Sequence, residues 1–230
     1  LPLNNRQTAI VKLEFADILL YSEKFNQAIL YYAQVEDNMK NDEMAHEASM
    51  KMAKANYFKN DFEWSLQQVK VLKQSSSLLI ANDALELFLL IQDNSVEDSL
   101  RKALTAFSKA DLKLYQNKKT EALHDFEKIL VDYKEDSIAD ETLLKIGKIQ
   151  QDLKQFNNAL TSFNEIIEKH SEGVLVDEAL YFSAEIYRLF LKDNEKSKAL
   201  YEKIIFNHQD SIFFTESQRQ YRLLRGDTNI

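Results

Sequence analysis

The sequence of 230 residues has no cysteine, one proline and three glycines. Without cysteine there is no disulfide framework, no thiolate nucleophile and no cysteine-bound metal. So little proline and glycine excludes a turn-rich β protein, whose hairpins need both. No apolar run approaches the roughly 20 residues of a membrane-spanning helix, so direct membrane insertion by this segment is not expected. Positive charge is also short. Lys and Arg number 29 against 37 Asp and Glu, a net charge of −8, and nucleic acid is therefore not an expected partner, because phosphate binding needs a cationic surface. The acidic excess favours solubility.

What is present is long stretches of Ala, Leu, Lys, Glu and Gln, all good helix formers, in a chain that is 45% hydrophobic and so able to bury a core. An all-α protein follows. Its sequence also repeats itself. Asp125-Phe126-Glu127-Lys128-Ile129-Leu130 answers to Ser162-Phe163-Asn164-Glu165-Ile166-Ile167, and that to Leu200-Tyr201-Glu202-Lys203-Ile204-Ile205. Phe126 and Phe163 are 37 residues apart, Phe163 and Tyr201 are 38. Self-similarity at such a period means stacked supersecondary units.

Each unit reads as two helices. The first carries a small residue in its middle (Ala16, Ala53, Ala110, Gly147, Ala184) and the second carries one near its start (Ala28, Ser65, Ala122, Ala159, Ser197). Four residues later come Tyr32, Val69, Phe126, Phe163 and Tyr201, and three further on Val35, Leu72, Ile129, Ile166 and Ile204. Spacings of three and four put these on one helix face. Small residues let two helix axes approach closely, and the larger side chain fills the wedge beside them.

This pattern resembles the tetratricopeptide repeat (TPR), with Leu143, Ile146, Gly147, Phe156, Ala159, Phe163 and Ile166 at the signature positions. The family's usual proline after the second helix is absent, and the period exceeds the family's 34, a variant similar to the TPR domains of bacterial cell-envelope proteins. The resemblance implies a right-handed superhelical α–α solenoid forming a single domain. Five helix pairs are expected at about 5–40, 42–76, 96–134, 137–171 and 174–209, with an inserted helix at 78–94 and a capping helix at 211–226. Ala53 and Ala110 lie 57 residues apart, one period plus about 20. The excess, with Leu78, Leu79, Ile80, Leu85 and Leu87 to Ile91, reads as an additional buried helix or a degenerate repeat. The first helix has apolar residues round most of its circumference, so it is expected to be buried on nearly all sides, in part by upstream repeats of a longer protein.

No pattern for catalysis emerges. His46, His124, His170 and His208 have no zinc spacing. Asp140-Glu141 and Asp177-Glu178 fall in helix first turns, where acids favour the positive dipole end, and Ser137 reads as the cap before Asp140. Arg225-Gly226-Asp227 reads as a helix stop. No metal, cofactor or catalytic residue is assigned.

In TPR proteins the first helices line a concave groove that binds a peptide or protein partner. Carried onto this chain, the groove positions are Met50, Lys54, Tyr57 and Phe58; Phe107, Asp111, Leu114 and Tyr115; Leu144, Lys148 and Gln151; and Tyr181, Glu185 and Arg188. Tyr57 and Phe107 are also the residues most suited to packing between repeats. These positions include no ring of lysines and arginines of the kind that clamps a carboxylate. The implied function is a non-catalytic protein–protein interaction scaffold in a bacterial envelope assembly, in the periplasm or cell envelope. The alternatives are a self-association module or an accessory region of a larger enzyme.

Overall fold

A computed structural model describes residues 3–40, 42–75, 77–95, 101–169 and 173–227. Among them are twelve α-helices, one π-helical turn and no strand. The helices are α1 (Asn5–Tyr21), α2 (Phe25–Asn38), α3 (Glu43–Phe58), α4 (Phe62–Leu72), α5 (Leu78–Asp93), α6 (Lys102–Tyr115), α7 (Lys119–Asp132), α8 (Ala139–Asp152), α9 (Phe156–Lys169), α10 (Val176–Ile186), α11 (Asn194–Asn207) and α12 (Phe214–Arg225), with the π-turn at Tyr187–Leu191. They form two compact units, residues 1–122 and 123–230. His170 and the predicted start of the third pair at 96–100 lie outside the described residues.

Within each unit, helices adjacent in sequence pack as tandem pairs, a TPR-like solenoid arrangement. In the first, α1 packs on α2, α2 on α3, α3 on α4 and α4 on α5, while α3 also meets α1, α5 and α6. In the second, α8 packs on α9, α9 on α10, α10 on α11 and α11 on α12, and α8 meets α10. The register read from sequence is the register of burial. Ala16, Ala28, Ala53, Ser65, Ala110, Ala122, Ala159, Ala184 and Ser197 are fully buried, as are the wedges Tyr32, Val69, Phe126, Phe163 and Tyr201. Where the second small residue is serine, its hydroxyl is satisfied across the crossing. Ser65 Oγ donates to Ala53 O at 3.0 Å and Ser197 Oγ to Ala184 O at 2.9 Å, so neither buries an unpaired polar group.

The turn between paired helices recurs too. Glu23, Asn60, Asn117, Lys154 and Lys192 all adopt left-handed backbone, with φ of 57–67°. In the α8–α9 turn Leu153 N–H donates to Ile149 O, Lys154 N–H to Gln151 O and Gln155 N–H to Gln150 O. The last of these is the six-to-one bond of a Schellman stop. The same set recurs at Ser22–Lys24, Lys59–Asp61 and Gln116–Lys118. The fifth pair differs. Its small residues are 13 apart rather than 12, and the π-turn takes up the extra residue, with Asp193 N–H bonded to Tyr187 O at 3.0 Å. That insertion accounts for the repeat of 38.

Two expectations, the buried helix α5 and the Ser137 cap, need correction. Helix α5 is amphipathic rather than buried: Ile80, Ala84, Leu87 and Ile91 face inward, while Leu78 is 79% and Leu79 72% exposed. Helix α1 buries Ala9, Leu13, Ala16, Leu19 and Leu20 and exposes a second apolar face of Val11, Phe15 and Ile18. The cap of α8 is Ile138, not Ser137, and no side chain caps it; Thr142 Oγ1 instead bonds Ile138 O at 2.7 Å. Helix α12 packs on α11, with Ser217 and Gln220 buried and Phe214, Tyr221 and Leu224 half-buried. Gly226 does end α12 in the left-handed region at φ 93°. Arg225 there grips Asp227 through two hydrogen bonds of 2.9 and 2.5 Å, so the Arg-Gly-Asp tripeptide closes on itself.

Candidate partner-binding site

In the second unit the residue after each first-helix small residue faces the neighbouring elements. Lys148, after Gly147, pairs with Glu178 of α10 and lies 4.9 Å from the ring centroid of Phe182. Glu185, after Ala184, accepts from the Tyr201 hydroxyl and holds Arg188 at 3.0 and 2.7 Å. Arg188 Nε also reaches the Tyr201 oxygen at 3.3 Å. Burial, then the hydrogen bond to Glu185, pushes the Tyr201 phenol above the ordinary tyrosine range, and the same carboxylate raises the Arg188 guanidinium.

One turn of helix earlier, Tyr181 stacks nearly parallel on Phe213, with ring centroids 4.4 Å apart and planes 18° apart. It also meets Phe182 edge-on at 5.8 Å. Burial first, then the charges of Glu185 and Glu216, raise the Tyr181 pKa. Glu216 is held by Arg219 at 2.7 and 2.9 Å and by Gln220 at 2.6 Å. Tyr181, Glu185 and Arg188 thus share one half-buried patch of stacked rings and paired charges.

The first unit has a matching element. The Tyr32 hydroxyl donates to Asp17 Oδ1 at 2.6 Å, and Lys51 of α3 reaches Asp17 Oδ2 at 2.7 Å and Glu47 at 3.0 Å. Tyr115 is 39% exposed and packs its ring 5.6 Å from Phe58; burial, then Asp17, raises its pKa.

Among the residues predicted to line the groove, Lys54 and Tyr115 are exposed and Asp111, Lys148, Gln151, Tyr181, Glu185 and Arg188 half-buried. Met50, Tyr57, Phe58, Phe107 and Leu144 are instead buried side chains of the packing. The packing role foreseen for Tyr57 and Phe107 extends to all five: Met50, Tyr57 and Phe58 lie on α3, which is enclosed by α1, α2, α4, α5 and α6, Phe107 is buried on α6, and Leu144 of α8 joins the core of Phe163, Leu180 and Ile204. Sequence reasoning missed Asp17 and Lys51, and the α12 side Phe213, Glu216 and Arg219. Asp17 follows Ala16 just as Lys54, Asp111, Lys148 and Glu185 follow their small residues, so extending the register one unit upstream finds it. Phe213 and α12 lie beyond the last repeat, where no register applies. Among the described residues no group of three or more His, Asp or Glu side chains is placed to hold a metal ion, and no helix is long and apolar enough to cross a membrane.

The family model described as tetratricopeptide repeat matches residues 141–172, which takes in most of α8 and all of α9. No curated protein matches the chain. The matched segment holds Gly147, Ala159 and Phe163, the residues that set the close crossing. A tetratricopeptide repeat points to protein partners and a scaffold role, in a family that is typically non-catalytic.

Proposed function

We propose that this chain, carrying its tetratricopeptide repeat at 141–172, is a non-catalytic scaffold that binds a peptide or protein partner along its first helices, within a bacterial envelope assembly. The patch around Tyr181 carries the reading. A tyrosine stacked on Phe213, with Arg188 and Glu185 alongside, combines an aromatic surface with oriented charges. Aromatic residues and arginine dominate the energetic centres of interfaces. Lys148 and Gln151 extend the proposed surface over α8, and in the first unit Lys54, Asp111 and Tyr115 are the proposed first-helix contacts. The envelope setting rests on the resemblance of the long repeat to envelope members of the family.

A second reading, self-association, is favoured by the exposed stripe of Val11, Phe15 and Ile18 on α1. One experiment addresses both. A photoreactive residue at Gln151 or Val11 is irradiated in native extract, with Lys203 on α11 as the reference position. Adducts to a distinct protein from Gln151, absent from Lys203 and lost in Tyr181→Ala, support the scaffold. Adducts joining two copies through Val11 support self-association. Equal labelling at Gln151 and Lys203 defeats the groove assignment.

A further inference from the structure

Lys59, Lys109, Lys113 and Lys118 belong to no motif, yet the first unit gathers them round one cavity of about 470 Å³. It opens where the turns of the first three helix pairs converge. Phe25, Phe58 and Leu112 give it an apolar lining, with Phe58 and Leu112 themselves buried. In a chain of net charge −8, four lysines round one opening are the reverse of the average surface.

The walls are fixed by the protein itself. Gln116 Nε2 donates to Tyr21 O and to Glu23 Oε1, both at 2.9 Å, and the Tyr21 hydroxyl donates to Gln116 O at 3.2 Å. Those bonds tie the α1–α2 turn to the end of α6, 95 residues away. Ser108 Oγ donates to Asn60 Oδ1 at 2.6 Å, holding the α3–α4 turn to the same helix. A cavity already shaped spares a ligand the cost of ordering it. Its charge is only partly met among the described residues. Glu23, the one carboxylate in the lining, is engaged by Gln116, and Lys59 meets Asp61 only at 3.7 Å. Lys109 and Lys118 form no ion pair among the described residues.

We propose that this cavity binds an acidic peptide segment, with carboxylates at the lysine rim and one apolar side chain against Phe25, Phe58 and Leu112. A bare anion would satisfy the rim and leave the apolar lining facing water, whereas an uncharged apolar segment would leave Lys109 and Lys118 unanswered. The rim has no arginine to grip a phosphate with a planar fork. The site stands independently of the Tyr181 reading.

The test is fluorescence anisotropy on the full chain with a labelled pentapeptide, a leucine flanked by two aspartates on each side. Comparators carry asparagine for every aspartate, or glycine for the leucine. Lys109→Gln/Lys118→Gln removes two exposed charges, and an unchanged far-ultraviolet circular dichroism spectrum shows that it folds. Saturable binding is expected, weakened at least about 5-fold by the double variant, by added salt and by the asparagine peptide. The glycine peptide also binds more weakly, and Tyr181→Ala changes nothing. No saturation at millimolar peptide, or equal affinity for the double variant, overturns the proposal. Displacement by inorganic phosphate at constant ionic strength, as effective as by unlabelled peptide, overturns the apolar half of it.

Discussion

The neighbouring pairs α8–α9 and α10–α11 share a plan and differ at one atom of the wedge. Phe163 fills the first crossing and Tyr201 the second, both fully buried. Tyrosine brings a hydroxyl that needs a partner inside the packing, and Glu185 on the facing helix supplies it. Phenylalanine makes no such demand, so Lys148 at the equivalent position reaches across to Glu178 of the next pair. In the first unit Tyr32 again draws an acid, Asp17, from the position after Ala16. A tyrosine wedge therefore engages the residue after the first small one in its own crossing, and a phenylalanine wedge leaves it for the next pair. Asp17 serves both, because its second oxygen remains for Lys51.

The comparison breaks most directly at Gly147. A Cβ there would lie 2.8 Å from Cδ1 and Cζ of Phe163, and closer still to Cε1. Alanine is accepted at the equivalent position 184 beside Tyr201, so the glycine answers to where the Phe163 ring lies. Gly147→Ala is expected to cost about 1–3 kcal/mol by overpacking, read as a lowered midpoint in thermal unfolding by circular dichroism. Coupled with Phe163→Leu it should cost less than the two single changes added together, since both act on one contact. An unaltered midpoint for Gly147→Ala would mean that the ring has room to retreat, and the two crossings would not differ as described.

The wedges and small residues were legible in the sequence because their steric demand is local and repeats at fixed spacing. The exposed face of α5 was not. Apolar composition tells how much surface a helix could bury, not whether a neighbour is there to cover it, and Leu78 and Leu79 remain open. Buried Met50 and Leu144 show the converse. A groove register carried over from the family does not know that α3 is enclosed on several sides or that Leu144 joins the core of Phe163, Leu180 and Ile204. The lysine cavity was beyond reach, since Lys59 and Lys118 meet only after α5 is inserted and α6 turns back onto α3. The π-turn did leave a trace, the spacing of 13 between Ala184 and Ser197.

A smaller effect sharpens the tyrosine side of the comparison. Tyr32→Phe and Tyr201→Phe each remove a hydroxyl donated to a carboxylate, and about 1 kcal/mol should be lost at neutral pH. The pH dependence then distinguishes them from simple packing changes. Burial, and next the bonded carboxylate, raise both phenols above the ordinary 10.0, so the unfolded chain releases these protons first. Their contribution is intact below about pH 10 and is lost as pH rises towards the folded-state values. Chemical denaturation should therefore show the parent losing stability more steeply above pH 10 than either phenylalanine variant. Parallel curves would show that the hydroxyls titrate alike folded and unfolded.

The gentlest test concerns the turns, where the same two pairs differ by one residue. Deleting Leu191 restores the spacing of 12 and lets Lys192 close a Schellman turn as Lys154 does. A π-turn is a one-residue insertion in an otherwise helical path, so removing it repairs the hydrogen-bond pattern. It also displaces Phe190 from its stack on Phe156, where the centroids are 4.3 Å apart and the planes 17° apart. That contact is worth roughly 0.5–1.5 kcal/mol and offsets the gain, so the net change in unfolding free energy should stay within about 1 kcal/mol. A much larger loss would mean that the insertion sets how α11 meets α10, and that the Tyr201–Glu185 bond depends on it. The Tyr201→Phe change made in the deletion background decides this: a cost as large as in the parent places the bond outside the influence of the turn.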